Sequence, residues 1–146
     1  MKSLFGVSLA GIALASIADA AELAAPDPSL TPGAVISTDR EIACTFRDAP
    51  RLYQTARPAY FDQARQVFER YGIAYDRHRY FELDHLIPRC LGGADVIANL
   101  WPEPLTEAVD KDAAEARICR AVCTYHTMTI EAGQRFFTTG QWRRRQ

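Results

Sequence analysis

The chain has 146 residues, with 17 Lys and Arg against 18 Asp and Glu, and 48% hydrophobic residues. This length suits one compact domain with a modest core. A formal net charge of -1 excludes any argument from overall charge for or against a polyanionic partner.

Residues 1–20, MKSLFGVSLAGIALASIADA, carry one early cation, Lys2, an apolar run from Leu4 to Ile17, and the small-x-small pattern Ala18-Asp19-Ala20. They predict a signal peptide cleaved after Ala20, and a secreted or periplasmic mature chain with no membrane attachment. The run is short for a span of roughly 20 residues, and no stop-transfer charges follow it. Position 21 is Ala rather than Cys, so a lipid anchor there is excluded. Cleavage removes Lys2 and Asp19, leaving 16 cations against 17 acids. All of these cations except Lys111 are Arg, whose planar fork suits bidentate phosphate contacts, although a compositional bias explains the excess equally well.

Residues 21–38 hold three prolines and little periodicity, and read as a flexible leader to a domain spanning 39–142. The apolar positions Tyr60, Phe61, Ala64, Val67, Phe68 and Tyr71 make a helical stripe from Pro58 to Tyr71, with Gly72 as its stop. RYFELDHLI (79–87) reads as a strand ended by Pro88. LGGAD (91–95) reads as a turn, and VIANLW (96–101) as a second strand interrupted by Pro102 and Pro104. A helix is expected over about 105–125, with Leu105, Val109, Ala116, Cys119 and Cys123 along its buried side. A short helix follows before Gly140, and residues 143–146 form a basic tail.

Four cysteines, Cys44, Cys90, Cys119 and Cys123, favour two disulfides in an oxidising compartment. Cys119 and Cys123, one helical turn apart, are poorly placed to bridge each other. Two connectivities remain: 44–123 with 90–119, which is preferred, and 44–119 with 90–123. The competing reading is a zinc site of Cys90, Cys119, Cys123 and His126, whose spacing is not a standard zinc signature.

Asp84 and His85 stand side by side at the end of the first strand. Taken alone, a His in an apolar row is most simply a hydrogen-bonded core residue. Asn99, however, follows a Gly-Gly loop that lets it approach His85 across a hairpin, and a helix start offering Glu103, Glu107, Asp110 and Asp112 comes next. These are the parts for metal-assisted phosphodiester hydrolysis. A neutral imidazole can take a proton from water, oxygen ligands can hold a hard divalent cation, and a further group can orient the imidazole.

ELDHLIPRCLGGADVIANLWPEP followed by Lys111-Asp112-Ala113-Ala114-Glu115 resembles the small secreted HNH endonucleases of the ββα-metal fold. The likeness extends from IACTF around Cys44, through TARPAYF and RYG, to RAVC at Cys123 and Trp142. It implies an α+β fold with a hairpin-plus-helix core, His85 as general base, Asp84 as first metal ligand, and Asn99 as the brace that orients His85. Many such enzymes place a second ligand, His or Asn, early in the helix. This chain has neither, and Glu107 takes that position, with Asp110 as the alternative. Glu107 also precedes Lys111 by four residues, which suits a helix-surface ion pair. The implied cofactor is Mg2+ or Mn2+, with Zn2+ or Ca2+ as alternatives, and the implied partner is nucleic acid, DNA before RNA, with an inhibitor protein as a further possible partner. Arg89, Lys111, Arg143 and Arg144 are the candidate phosphate contacts. Trp101 is read as a core plug rather than a base-stacking residue. A non-catalytic secreted module with the same fold is the competing expectation, because the helix His or Asn is missing.

Overall fold

The computed structural model of the protein describes residues 25–51 and 55–143. The expected signal peptide and Arg144 lie outside the described residues.

The element order is α1 (Arg40–Thr45), α2 (Arg57–Arg70), β1 (Phe81–His85), β2 (Leu100–Pro104), α3 (Leu105–Cys119) and α4 (Ile130–Thr138), linked by short 3-10 segments, with a π-helical turn at Arg120–Thr124. The architecture is α+β, a two-stranded antiparallel sheet between helices. Asp39 caps α1 by accepting from the Ile42 amide at 3.1 Å. Pro58 sits in the first turn of α2, where its missing N–H leaves no bond unmade, and Gly72 (φ 66°) follows the helix in the left-handed conformation. Thr129 caps α4 through the Ala132 amide.

Part of the expected leader is ordered structure. Thr31 is 1% exposed, and its hydroxyl donates to the Leu100 carbonyl at 3.0 Å and lies 2.8 Å from the Tyr71 hydroxyl. Val35 forms an isolated bridge with Gly93. A proline-rich composition suggested flexibility, but backbone and hydroxyl bonds to the hairpin hold residues 31–36 in place.

β2 also differs from expectation, because it runs through both prolines. Its register pairs Asp84 with Trp101, Leu83 with Pro102, and Phe81 with Pro104. The Leu86 amide donates to the Asn99 carbonyl at 2.7 Å. Counting by twos from that pair, Trp101 and Glu103 take the hydrogen-bonded positions, and Pro102 and Pro104 the positions whose nitrogens point away from β1. In a sheet of two strands that outward side has no partner, so a missing N–H costs nothing.

The sheet has two unlike faces. Phe81, Leu83 and His85 project on one side, and Phe81 meets Phe68 of α2 edge to face, at 6.0 Å. Trp101 projects on the other, fully buried and 5.9 Å from Trp142, within a core that includes Ile118, Val122 and Phe137. The expected seam of α3 holds only toward its C-terminal end, where Cys119 is buried and Cys123 half-buried. Leu105, Val109 and Ala116 are exposed, and the buried face of the helix is instead completed by Lys111, Ala114 and Ile118. Apolar periodicity missed this because a lysine occupies the buried face, drawn in by carboxylates.

Two disulfides staple the fold, Cys44–Cys123 and Cys90–Cys119. All four cysteines are thereby used, which removes the alternative zinc site. Among the described residues no helix is long and apolar enough to cross a membrane.

Candidate active site

The Gly-Gly loop and Asn99 build the scaffold. Asn99 is fully buried, and its side-chain oxygen accepts from the Ile87 amide at 2.9 Å while its nitrogen donates to the carbonyls of Ile87 and Ala94 at 3.0 and 3.2 Å. It ties the two ends of the loop together, and its side-chain bonds go to backbone groups rather than to the imidazole, so any effect on His85 passes through the backbone. A Cβ on Gly93 would lie 1.7 Å from the Ile87 carbonyl oxygen, and Gly92 has φ +75°, so both positions require glycine.

The ring of His85 is held by a residue that sequence reading passed over. Nε2 of His85 lies 2.7 Å from Oδ1 of Asp95, at the end of the loop. Asp95 also accepts from Arg89, whose guanidinium donates to the Ala49 carbonyl at 2.7 Å and to that of Phe46 at 3.3 Å. Burial alone would raise the Asp95 carboxyl, but the bonds from His85 and Arg89 outweigh it and bring the pKa down to about 2. Asp95 is therefore an acceptor at neutral pH. A neutral imidazole facing it donates from Nε2, which leaves the lone pair on Nδ1. The signal for Asp95 was its place ten residues after His85, at the end of the LGGAD turn.

Asp84 faces α3. Its carboxylate binds the ammonium of Lys111, which also binds Glu115 and lies 3.9 Å from Glu103. Burial works against ionisation of Asp84, but the Lys111 charge, Glu103 and His85 together lower its pKa. Glu103, 1% exposed, is pushed up to about 10 by burial first and then by Asp84, so it keeps its proton at neutral pH. Glu115 rises to about 7, mainly through burial, with the Lys111 charge opposing. The Lys111 pKa is raised, because its carboxylate neighbours outweigh the opposing effect of burial.

Although successive strand residues point to opposite faces, Asp84 and His85 at the end of β1 line the same two clefts. One, of about 550 Å3, opens toward α2. The other, of about 500 Å3, is also lined by Asp112 and Glu115 of α3.

The structure does not bring the expected second ligand to this place. Glu107 binds Arg143 at 2.8 Å and, with Asp110, lines a separate cleft beside Trp142. Arg143 is correspondingly no loose tail cation, since its guanidinium packs on Trp142 at 4.9 Å and Trp101 at 5.5 Å. Lys111 is fully buried and Arg89 7% exposed, so neither offers a surface phosphate contact. The helix carboxylates that share the Asp84–His85 cleft are Asp112 and Glu115. They stand one turn or more beyond Glu107, and Glu115 lies four residues after Lys111, on the same face of the helix.

Among the described residues no three His, Cys, Asp or Glu side chains gather closely enough to hold a metal ion. The Lys111 ammonium nevertheless marks a cation position between two carboxylates, Asp84 and Glu115. An all-oxygen pair of this kind matches the one or two protein carboxylates that Mg2+ takes when waters and phosphates complete its shell.

A scan of protein-family models finds none that matches this chain, and searches of curated proteins and of solved structures find no match.

Proposed function

We propose that the protein is a secreted HNH-type endonuclease of ββα-metal architecture, hydrolysing phosphodiester bonds of nucleic acid with little sequence preference. The observation that carries this reading is the Asp95–His85 pair, held beside Asp84 at the mouth of a braced hairpin. Nδ1 of His85 takes the proton from the attacking water, and Asp95 stabilises the imidazolium that results. Asp84 and Glu115, with Asp112 beside them, would hold Mg2+ or Mn2+, which supplies neutralisation of charge on the phosphate and the leaving oxygen. Asn99 fixes the loop so that the imidazole does not have to be ordered during reaction.

The test is cleavage of plasmid DNA by the purified protein with Mg2+ or Mn2+. Cutting is expected, with loss on adding EDTA and in His85→Ala. Undiminished cutting by that variant would remove His85 as the base.

One observation favours a second reading, a non-catalytic binding module. The ammonium of Lys111 already neutralises Asp84 and Glu115. Calorimetric titration with Mn2+ separates the two readings, since a module of this kind binds no metal at millimolar concentration.

A further inference from the structure

We propose that the larger cleft, between α2, the Tyr75–Tyr80 turn and β1, receives an unpaired nucleobase, which makes single-stranded nucleic acid the preferred substrate. This rests on the nuclease reading for its chemistry, but its own basis is the cleft wall. Tyr60, Phe61, Tyr75 and His78 line it together with the Gln63 amide and Arg51. Its volume of about 550 Å3 lies within the range of roughly 300–1,000 Å3 for small-ligand sites.

Core packing does not account for these aromatics. Phe68, Ile73 and Phe81 form the small cluster beneath the cleft, with Tyr71 and Tyr75 packed at its edge, whereas Tyr60, Phe61 and His78 belong to neither core cluster. Phe61 is 39% exposed. Tyr75 and His78 stack at 5.2 Å with 20° between their planes, which presents a flat π surface. Arg57 lies over Phe61 at 5.7 Å and Arg65 over Tyr75 at 5.6 Å, so each of these rings already carries a cation on one face, and these mobile side chains supply positive charge for the backbone of a strand whose base enters the cleft.

The aromatic wall decides which part of a nucleotide enters: Tyr60, Phe61, Tyr75 and His78 line one side for a base, while the β1 side carries Glu82, Asp84 and Asp95, the last two already paired with Lys111 and Arg89. Asp84, His85 and Asp95 also line this cleft, so a base bound in it is contiguous with the hydrolytic groups. A base in a duplex has both faces covered by its neighbours and cannot use such a wall.

The experiment uses His85→Ala protein in EDTA, so that the readout is independent of hydrolysis, with a short oligonucleotide carrying 2-aminopurine as probe. Fluorescence quenching and Kd are measured for the single strand and for its duplex. The single strand is expected to bind about 10-fold more tightly or better, and Phe61→Ala on that background to weaken it about 10-fold, with the thermal melt unchanged. His78→Ala, at an exposed position, is the second variant should Phe61→Ala lose its fold, and it should show the same weakening. Equal affinity for single strand and duplex, or folded variants that bind as before, overturns the subsite while leaving any plasmid cleavage by the unmodified protein intact. Strong single-strand binding by His85→Ala, when the unmodified protein cuts nothing with any divalent metal, supports the subsite and removes the nuclease reading.

Discussion

Nε2 of His85 lies 2.7 Å from Oδ1 of Asp95, and this contact sets which nitrogen of a neutral imidazole keeps its lone pair. Asp95→Asn keeps the shape but removes the charge and can present an N–H to the ring. In steady-state assays on an oligonucleotide, kcat should fall about 100-fold or more, with KM changed little. A variant with unaltered kcat would mean that the ring does not depend on this carboxylate.

Lys111 is the hub of a buried cluster with Asp84, Glu115 and Glu103. Lys111→Met leaves Asp84 and Glu115 facing each other without a counter-charge. Urea denaturation should show a loss of about 3–5 kcal/mol, the usual cost of removing one partner from a buried ion pair. If the two carboxylates form a cation site, the same variant should bind Mn2+ more tightly and recover stability when the ion is added. A loss below about 1 kcal/mol would show that the ammonium is not what holds the acids together.

Two acids give opposite dependences of stability on pH. The folded-state pKa of Asp95 is lowered from 3.8 to about 2, so its contribution is present above about pH 4 and disappears as pH falls toward 2. That of Glu103 is raised from 4.5 to about 10, so its contribution is complete below about pH 4.5 and is lost progressively as pH rises from there through about 10. Glu103→Gln, which cannot ionise, should therefore flatten the decline in stability between about pH 6 and 10, as followed by denaturant midpoints. An unchanged slope would show that Glu103 is not the group responsible.

The staples enclose loops of different length, with sequence separations of 79 for Cys44–Cys123 and 29 for Cys90–Cys119. Loop-closure entropy gives about 4.5 and about 3.6 kcal/mol respectively. Replacing Cys44 and Cys123 by Ala should thus cost about 1 kcal/mol more than replacing the other pair. The reverse order in denaturant titrations would show that local packing, rather than restriction of the unfolded chain, dominates.

Much of the fold was legible where a local rule acts alone. Pro58 and Gly72 bracket α2, β1 (Phe81–His85) falls inside the run 79–87 that reads as a strand although it is shorter at both ends, and the preferred cysteine pairing is the one found. Asn99 as a brace followed from the family resemblance, and its carboxamide does bond the backbone at both ends of the loop, although it makes no direct contact that orients the imidazole. What failed depended on partners distant in sequence. Lys111 is buried because Asp84 on β1 and Glu115 on its own helix neutralise it, and that arrangement turns the first half of α3 away from the face that apolar spacing selects, while Cys119 stays buried as expected. Glu107 turned away for a similar reason, because Arg143, thirty-six residues later, returns to bind it. Prolines in β2 were taken as breaks because a sequence does not announce which strands are edges.

Cys90 belongs to the loop that carries Arg89 and leads to Asp95, and Cys119 ends the helix that carries Lys111 and Glu115. The two bonds together contribute about 8 kcal/mol by the same reckoning, comparable with the whole net stability of about 5–15 kcal/mol for a domain of this size. Until the thiols are oxidised, the halves of the cleft are two unlinked segments of a chain with little margin to stay assembled. The existence of the site is thus tied to the redox state of its surroundings, because a reducing environment removes both links and an oxidising one restores them.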